Sequence, residues 1–305
     1  MGFRDELSQR HSDAVRTVTL AHGETRLAVD GPDQGEVVLF VHGMTYPLEV
    51  FGPLAAAVAA SGRQAIRFDL YGRGFSTWDG TPLTLAALAA QAHAVLEQVR
   101  PGASAHIVGL SNADLVLNAF SLRWPQRTRS LTWIAPGGID TRTMNWTMRT
   151  TGRLPLAAAI LGSRLRRRCV ERMLRHLDHL PDDAPEQAAS AYETAIHTVR
   201  TNPHFAGAIA SYLAALPRPV EAIAAAEDVS QQGTPVLMLT FAEEADTTEE
   251  NTAPFQRVMP SLSAITLPQG THMALLERPA SIIPHLLAFL DAPSVGLTPP
   301  SSAPG

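Results

Sequence analysis

Val37-Val38-Leu39-Phe40-Val41 is apolar at every position, and this run constrains the fold more than any other feature. A strand with one wet face alternates apolar and polar residues, whereas an unbroken run is covered on both faces. Ala105-His106-Ile107-Val108, Leu131–Ala135 and Pro235–Thr240 have nearly the same character. Between them lie segments with apolar residues at helical spacing: Phe51–Ser61, Leu83–Val99 and Asp114–Trp124. Strands alternating with helices predict a parallel sheet built by right-handed crossovers. Gln64–Phe68 and Ala264–Leu267 add two strands, and Thr252–Val258 and Ala280–Leu290 add two helices. Arg16–Leu20 and Thr25–Val29, around His22-Gly23-Glu24, predict an opening hairpin.

The alternation stops near Asp140 and resumes at Pro235. The stretch between is helical, broken at Pro181, Pro185, Pro203, Pro217 and Pro219. The expected organisation is a core over 1–140 and 229–291, a helical cap over 141–228, and a disordered tail over 292–305. A helical insertion between sheet strands is placed to cover the carboxyl edge of the sheet, where ligands bind in open α/β folds. The length of 305 residues, with 45% hydrophobic and 17% charged, suits one large domain carrying such an insertion.

The single cysteine, Cys169, excludes an internal disulfide and fits a reducing cytoplasm. The first residues lack the apolar core of a signal peptide, and Glu6 breaks the myristoylation pattern. No apolar run approaches the ~20 residues of a membrane span. A net charge of −5 gives no reason to expect nucleic acid. All 24 basic residues are arginine, which rules out Schiff-base chemistry and points to a genome rich in G and C, as in actinobacteria.

Gly109-Leu110-Ser111-Asn112-Ala113 joins a predicted buried strand to a predicted helix. A serine on such a turn has its hydroxyl clear of the backbone, at the positive end of the helix dipole. Gly109 and Ala113 are small because strand and helix approach closely there. The pentapeptide is nearly the G-x-S-x-G nucleophile elbow, with Ala113 where the last glycine usually stands. Acyl chemistry also needs a base, an orienting acid and donors for the oxyanion. His272 lies in the loop after the last predicted strand and is the candidate base. Val41-His42-Gly43-Met44 follows the third strand. The N–H groups of Met44 and Asn112 are the candidate oxyanion donors, with Gly43 permitting close approach.

Together these features resemble the α/β-hydrolase superfamily over roughly residues 16–291. The matching pieces are Leu39-Phe40-Val41-His42-Gly43, the loop Phe68–Ser76, the elbow, and Gly270-Thr271-His272 with Glu277-Arg278-Pro279. The resemblance implies an eight-stranded, mostly parallel sheet flanked by helices, with a cap inserted after the sixth strand. It also implies Ser111 as nucleophile and His272 as base. The acid is open between three residues. Counting from either side puts Glu244 at the acid position without a gap, Asp246 needs a local insertion, and Asp140 follows an earlier strand where some members place theirs.

The expected function is a serine hydrolase that cleaves a carboxylic ester, thioester or lactone of an apolar substrate through an acyl-enzyme, without cofactor or metal. The unusual Asn112-Ala113-Asp114 leaves open an elimination or cyclisation enzyme of specialised metabolism. A ligand receptor or inactive homologue is the third reading. His42 is expected to shape the oxyanion loop, His106 to be packed, and Arg73 to brace the glycine-rich loop. His176-x-x-His179 is a weak metal signal. Met144, Trp146 and Met148 could line an apolar pocket or form cap core. Residues 141–176 hold nine arginines and one acid, Glu171. A solvated helix face accounts for this charge, and an anionic partner such as a carrier-protein or coenzyme A thioester is the sharper reading.

Overall fold

The computed structural model of the chain describes residues 15–137, 155–244, 247 and 249–292. Eight strands form one sheet: β1 (Val15–Leu20), β2 (Gly23–Asp30), β3 (Val37–Val41), β4 (Gln64–Phe68), β5 (Ala105–Leu110), β6 (Thr128–Ile134), β7 (Val236–Phe241) and β8 (Ser263–Leu267). Their order is β1-β2-β4-β3-β5-β6-β7-β8. β1 pairs antiparallel with β2, β2 pairs antiparallel with β4, and the other five pairings are parallel. Every residue of β3, β4, β5 and β7 is buried, as in strands covered on both faces. β8, at the sheet edge, is mostly exposed.

Helices α1 (Gly52–Ala60), α2 (Leu85–Val99) and α3 (Ala113–Arg123) follow β3, β4 and β5. Thr84 caps α2 by accepting the Ala87 N–H (3.1 Å). Four helices stand between β6 and β7: α4 (Pro155–Asp178), α5 (Glu186–Thr201), α6 (Phe205–Ala215) and α7 (Pro219–Gln231). α4 packs on α5 and α6, forming the cap, while α7 lies against α3 and α8 (Glu249–Val258). α9 (Ala274–Glu277) and α10 (Pro279–Asp291) pack with α1. The fold is therefore α/β, with a mostly parallel eight-stranded sheet, flanking helices and a helical cap inserted after the sixth strand. Among the described residues no helix is long and apolar enough to cross a membrane.

The glycine-rich loop after β4 is organised by one carboxylate. Asp69 accepts the N–H groups of Leu48 (2.8 Å) and Phe75 (2.9 Å), and Arg26 Nη1 lies at 3.4 Å. Gly74, at φ +53°, leaves room for it, since a Cβ there would lie 2.2 Å from the carboxylate. Arg73 is fully buried and donates to the Tyr71 carbonyl (2.9 Å), so it braces the loop as expected. Asn202, on the turn between α5 and α6, donates to the carbonyls of Gly74 (2.9 Å) and Ser76 (3.1 Å) and ties the cap to this loop.

β6 starts three residues earlier than its apolar run. Thr128-Arg129-Ser130 is polar because its partners are: Arg129 pairs with Glu36, and Ser130 Oγ lies 2.7 Å from His106 Nδ1. His106 is buried, and burial lowers its pKa to about 4. The unfolded imidazole titrates near 6.5, so unfolding takes up a proton between those values. Stability from this site is full above pH 6.5 and falls as the pH drops towards 4, by up to about 1.4 kcal/mol per pH unit. Urea denaturation across pH 7.5 to 4.5 should show His106→Gln losing stability less steeply than the parent. Parallel profiles would refute a neutral, buried His106.

Candidate active site

Ser111 has φ +56°, the left-handed region that costs a non-glycine residue roughly 1–2 kcal/mol. Its neighbours hold it there. The Ser111 N–H donates to the Ile134 carbonyl (2.9 Å), extending the β5–β6 ladder, and its carbonyl accepts the Asp114 N–H (3.2 Å) in the first turn of α3. The chain therefore reverses from strand to helix within one residue. A Cβ on Gly109 would stand 3.0 Å from Ala113 Cβ and 3.0 Å from Leu117 Cδ1. Alanine in place of the second elbow glycine uses the last of the space, so the first must remain glycine. Gly43 faces the same turn, where a Cβ would lie 3.1 Å from Ser111 Cβ. A Cβ on Gly137, after β6, would lie 2.9 Å from Ser111 Oγ. That glycine keeps the hydroxyl accessible, and the strand patterns gave no signal for it.

His42 fixes the loop after β3. Its Nε2 accepts the Leu70 N–H (2.9 Å), so Nδ1 carries the proton and donates to the Gly43 carbonyl (2.7 Å). Burial, with Arg73 adding to it, lowers the His42 pKa to about 3. His42 is thus a neutral brace and not a base. Because a trans peptide points its C=O and N–H in opposite directions, anchoring the Gly43 carbonyl also aims the Met44 N–H.

Glu244 and His272 meet at the same edge of the sheet. Glu244 follows β7, where its N–H donates to the Phe241 carbonyl (3.1 Å). Glu244 Oε2 lies 3.3 Å from His272 Nδ1, an ion-pair distance longer than a well-formed charge-assisted hydrogen bond. Both side chains are largely buried. Thr240, Thr247, Thr252, Thr266 and Gln256 line a 410 Å³ cavity with Glu244, a polar setting for a carboxylate. The adjacent Glu243 accepts the Gly270 N–H (3.1 Å), which joins the two loops. Gly270, at φ +120°, is required, since a Cβ would lie 2.7 Å from Ala274 Cβ.

The parts thus fall into two clusters. Gly43, Asn112 and Gly137 surround Ser111, and Glu244 reaches His272. The Ser111 hydroxyl donates to Asn112 Oδ1 (3.2 Å) and not to His272. Asp246 and Asp140 lie outside the described residues, as do Met144, Trp146 and Met148. Tyr212, on α6, donates to the Asn112 carbonyl (3.0 Å), so the cap touches the elbow directly. Burial and the neighbouring Asp114 raise the Tyr212 pKa, keeping the phenol protonated. No pattern in the sequence links positions a hundred residues apart. His176 and His179 do not share a site: His176 faces Glu277, and His179 Nδ1 lies 2.8 Å from the carbonyl of Arg175.

The sequence pattern described as the alpha/beta hydrolase family matches residues 38–284, and the chain belongs to that family. Solved structures of similar fold include a mutant of a Pseudomonas aeruginosa protein assigned as an epoxide hydrolase. The two are 19% identical over 90% of this chain and 94% of that one, with a TM-score of 0.72. A thermophilic esterase from Thermogutta terrifontis is 18% identical over 90% and 98% (TM-score 0.69). The thioesterase domain of the curacin biosynthetic pathway is 15% identical over 91% and 100% (TM-score 0.68). At these identities the likeness is one of fold. No curated protein matches the sequence.

The elbow's packing can be tested without knowing the substrate. Gly109→Ala must push α3 from β5, at a cost of roughly 1–3 kcal/mol for an overpacked core site. Thermal unfolding should show a lowered Tm. An unchanged Tm would mean that the gap between β5 and α3 is wider than described.

Proposed function

We propose that this chain is a serine hydrolase that cleaves ester-type carbonyl bonds, with Ser111, His272 and Glu244 as its triad. The observation that carries the reading is the pairing of Glu244 with His272 Nδ1 at the sheet edge that also bears the strained Ser111. A carboxylate on Nδ1 fixes the tautomer that leaves Nε2 free to accept a proton. Ser111 Oγ turns from Asn112 Oδ1 towards Nε2, gives up its proton and attacks the substrate carbonyl. The N–H groups of Met44 and Asn112 receive the oxyanion, each contributing a few kcal/mol to the transition state. His272 returns the proton to the leaving group, then activates water to release the acyl group from Ser111. His42 and Gly43 act by holding the Met44 N–H in place.

A fluorophosphonate should label wild-type protein on Ser111. Ser111→Ala should abolish labelling and lower ester turnover by several orders of magnitude. Persistent labelling of that variant would overturn the reading. Among the acids, Glu244→Gln should reduce kcat at least a hundredfold, while Glu243→Gln stays within about tenfold because the amide oxygen can still accept the Gly270 N–H. Loss on Asp246→Asn with an unaffected Glu244→Gln would move the role to Asp246.

A second reading concerns the substrate's carrier. Arg164, Arg167, Arg168 and Arg175 are exposed along α4, and Arg167 lies 3.7 Å from Glu171. Arg166 differs, because it donates to the carbonyls of Arg200 (3.4 Å) and Asn202 (3.0 Å) and belongs to the cap's own structure. The exposed set suits an anionic thioester carrier such as a carrier protein or coenzyme A. Changing Arg164, Arg167 and Arg168 to Glu should then raise KM for coenzyme A thioesters at least tenfold and leave neutral esters unchanged. The parental preference should fade with salt, since exposed charges are screened beyond ~10 Å at 0.1 M. Equal KM values for coenzyme A thioesters in the parent and the triple variant would mark the arginines as a solvated face.

A further inference from the structure

Glu277 is a buried carboxylate that the chemistry above does not use. It sits at the end of α9, and its two oxygens face different parts of the molecule. Oε2 accepts the Thr271 hydroxyl (3.0 Å). Thr271 immediately precedes His272, and its Oγ1 also accepts the Met273 N–H (3.3 Å). One side of Glu277 therefore grips the residues on both flanks of His272. Oε1 accepts the Tyr192 hydroxyl (2.6 Å) from α5 and lies 3.2 Å from His176 Nδ1 on α4. The other side thus grips two cap helices. His176 and Tyr192 stack with ring centroids 5.8 Å apart, and Tyr46 meets Tyr192 edge-on at 5.9 Å. Tyr46 lies two residues beyond Met44, so the oxyanion loop abuts the same cluster.

Burial alone would raise the Glu277 carboxyl, but the donors from His176, Tyr192 and Thr271 outweigh it and hold it below the usual range. Burial and the neighbouring Tyr46 and Glu277 push Tyr192 the other way, so it remains a donor. A charged acceptor with the Tyr192 and Thr271 hydroxyls as donors in a water-poor setting gives hydrogen bonds about twice the strength of neutral ones. Removing the shared carboxylate would leave its donors buried and unsatisfied. The cluster is strong only when the cap is seated.

We propose that Glu277 is a positioning residue that couples the cap to the His272 turn, so that the base is in register only while Tyr192 and His176 are docked. The proposal rests on His272 being the base, but the coupling itself is independent of the reaction. A cap that lifts away to admit substrate would loosen the turn, and its return would restore the base before chemistry. Water would then find no ordered base in the open state.

Three variants test this: Thr271→Val and Tyr192→Phe, which each delete one hydroxyl, and His176→Gln, which can still donate to Glu277. Hydrogen exchange of the full-length protein supplies a readout that needs no substrate. Tyr192→Phe should speed amide exchange of residues 270–276 at least fivefold, with β5 unchanged and His176→Gln near parental. Unchanged exchange at 270–276, or equal loss of protection in β5, would overturn the coupling. Ester turnover supplies the second readout. Thr271→Val and Tyr192→Phe should each lower kcat about tenfold with KM within threefold, and the double variant should be no slower than the worse single one. Multiplying losses would also overturn the coupling. Wild type that neither labels on Ser111 nor turns over esters would defeat the hydrolase reading, and the exchange result would still decide the role of Glu277.

Discussion

The candidate site depends on one strained residue. Ser111 is held at φ +56° because the β5–β6 ladder fixes its N–H and the first turn of α3 fixes its carbonyl. No hydrogen bond of its side chain is needed for this. The strain is stable because β5 and α3 are both anchored in the core, and neither can yield to relax a single φ angle. The glycines follow from it. Gly43, Gly109 and Gly137 come from three different strand ends, and each faces the elbow where a Cβ would crowd it.

The second constraint is electrostatic. A burial that lowers the His42 pKa to about 3 keeps that imidazole neutral, so it serves as donor and acceptor at once without adding charge to the β3 loop. Its two bonds tie the β3 loop to the β4 loop, and Asp69 ties the β4 loop to Leu48, just past the β3 loop. The Met44 N–H is thus oriented by a closed circuit of bonds through Leu70, Asp69 and Leu48. Fixed dipoles of this kind need no reorganisation when charge appears, which is the condition for them to stabilise it.

The sheet and the elbow were legible because their signals are local. Unbroken apolar runs mark doubly covered strands, and Gly109 and Ala113 report a close approach between neighbours in sequence. The order of parts along the chain carried the rest of the resemblance. What could not be read were contacts set by the tertiary fold. Nothing in the sequence pairs Tyr212 with the carbonyl of Asn112, or Glu277 with Tyr192 and His176. The polar start of β6 was missed because Arg129 and Ser130 are explained only by Glu36 and His106 on other elements. The arginine cluster misled in one respect, since Arg166 turns inward to backbone carbonyls while Arg164, Arg167 and Arg168 are exposed. Composition cannot separate those two uses of the same residue.

Glutamate at 244 has a geometric consequence. β7 and β8 are neighbours, roughly 5 Å apart, whereas β5 and β8 are separated by three such steps, roughly 14 Å. On the proposed triad, the loop after β8 would have to carry His272 back across β7 and β6 to approach Ser111. The farther it reaches, the longer the acid that follows it must be, and glutamate exceeds aspartate by one methylene. That methylene brings an additional rotatable bond, whose freedom weakens the pair unless the surroundings restrict it. Glu243 on Gly270 fixes the start of the His272 loop, and Glu277 on Thr271 fixes its middle. Three successive glutamate contacts thus define one turn, each with a different partner and only one with the imidazole. The 3.3 Å separation of Glu244 from His272 then sets how tightly that imidazole is held, and the two flanking carboxylates set where it is held.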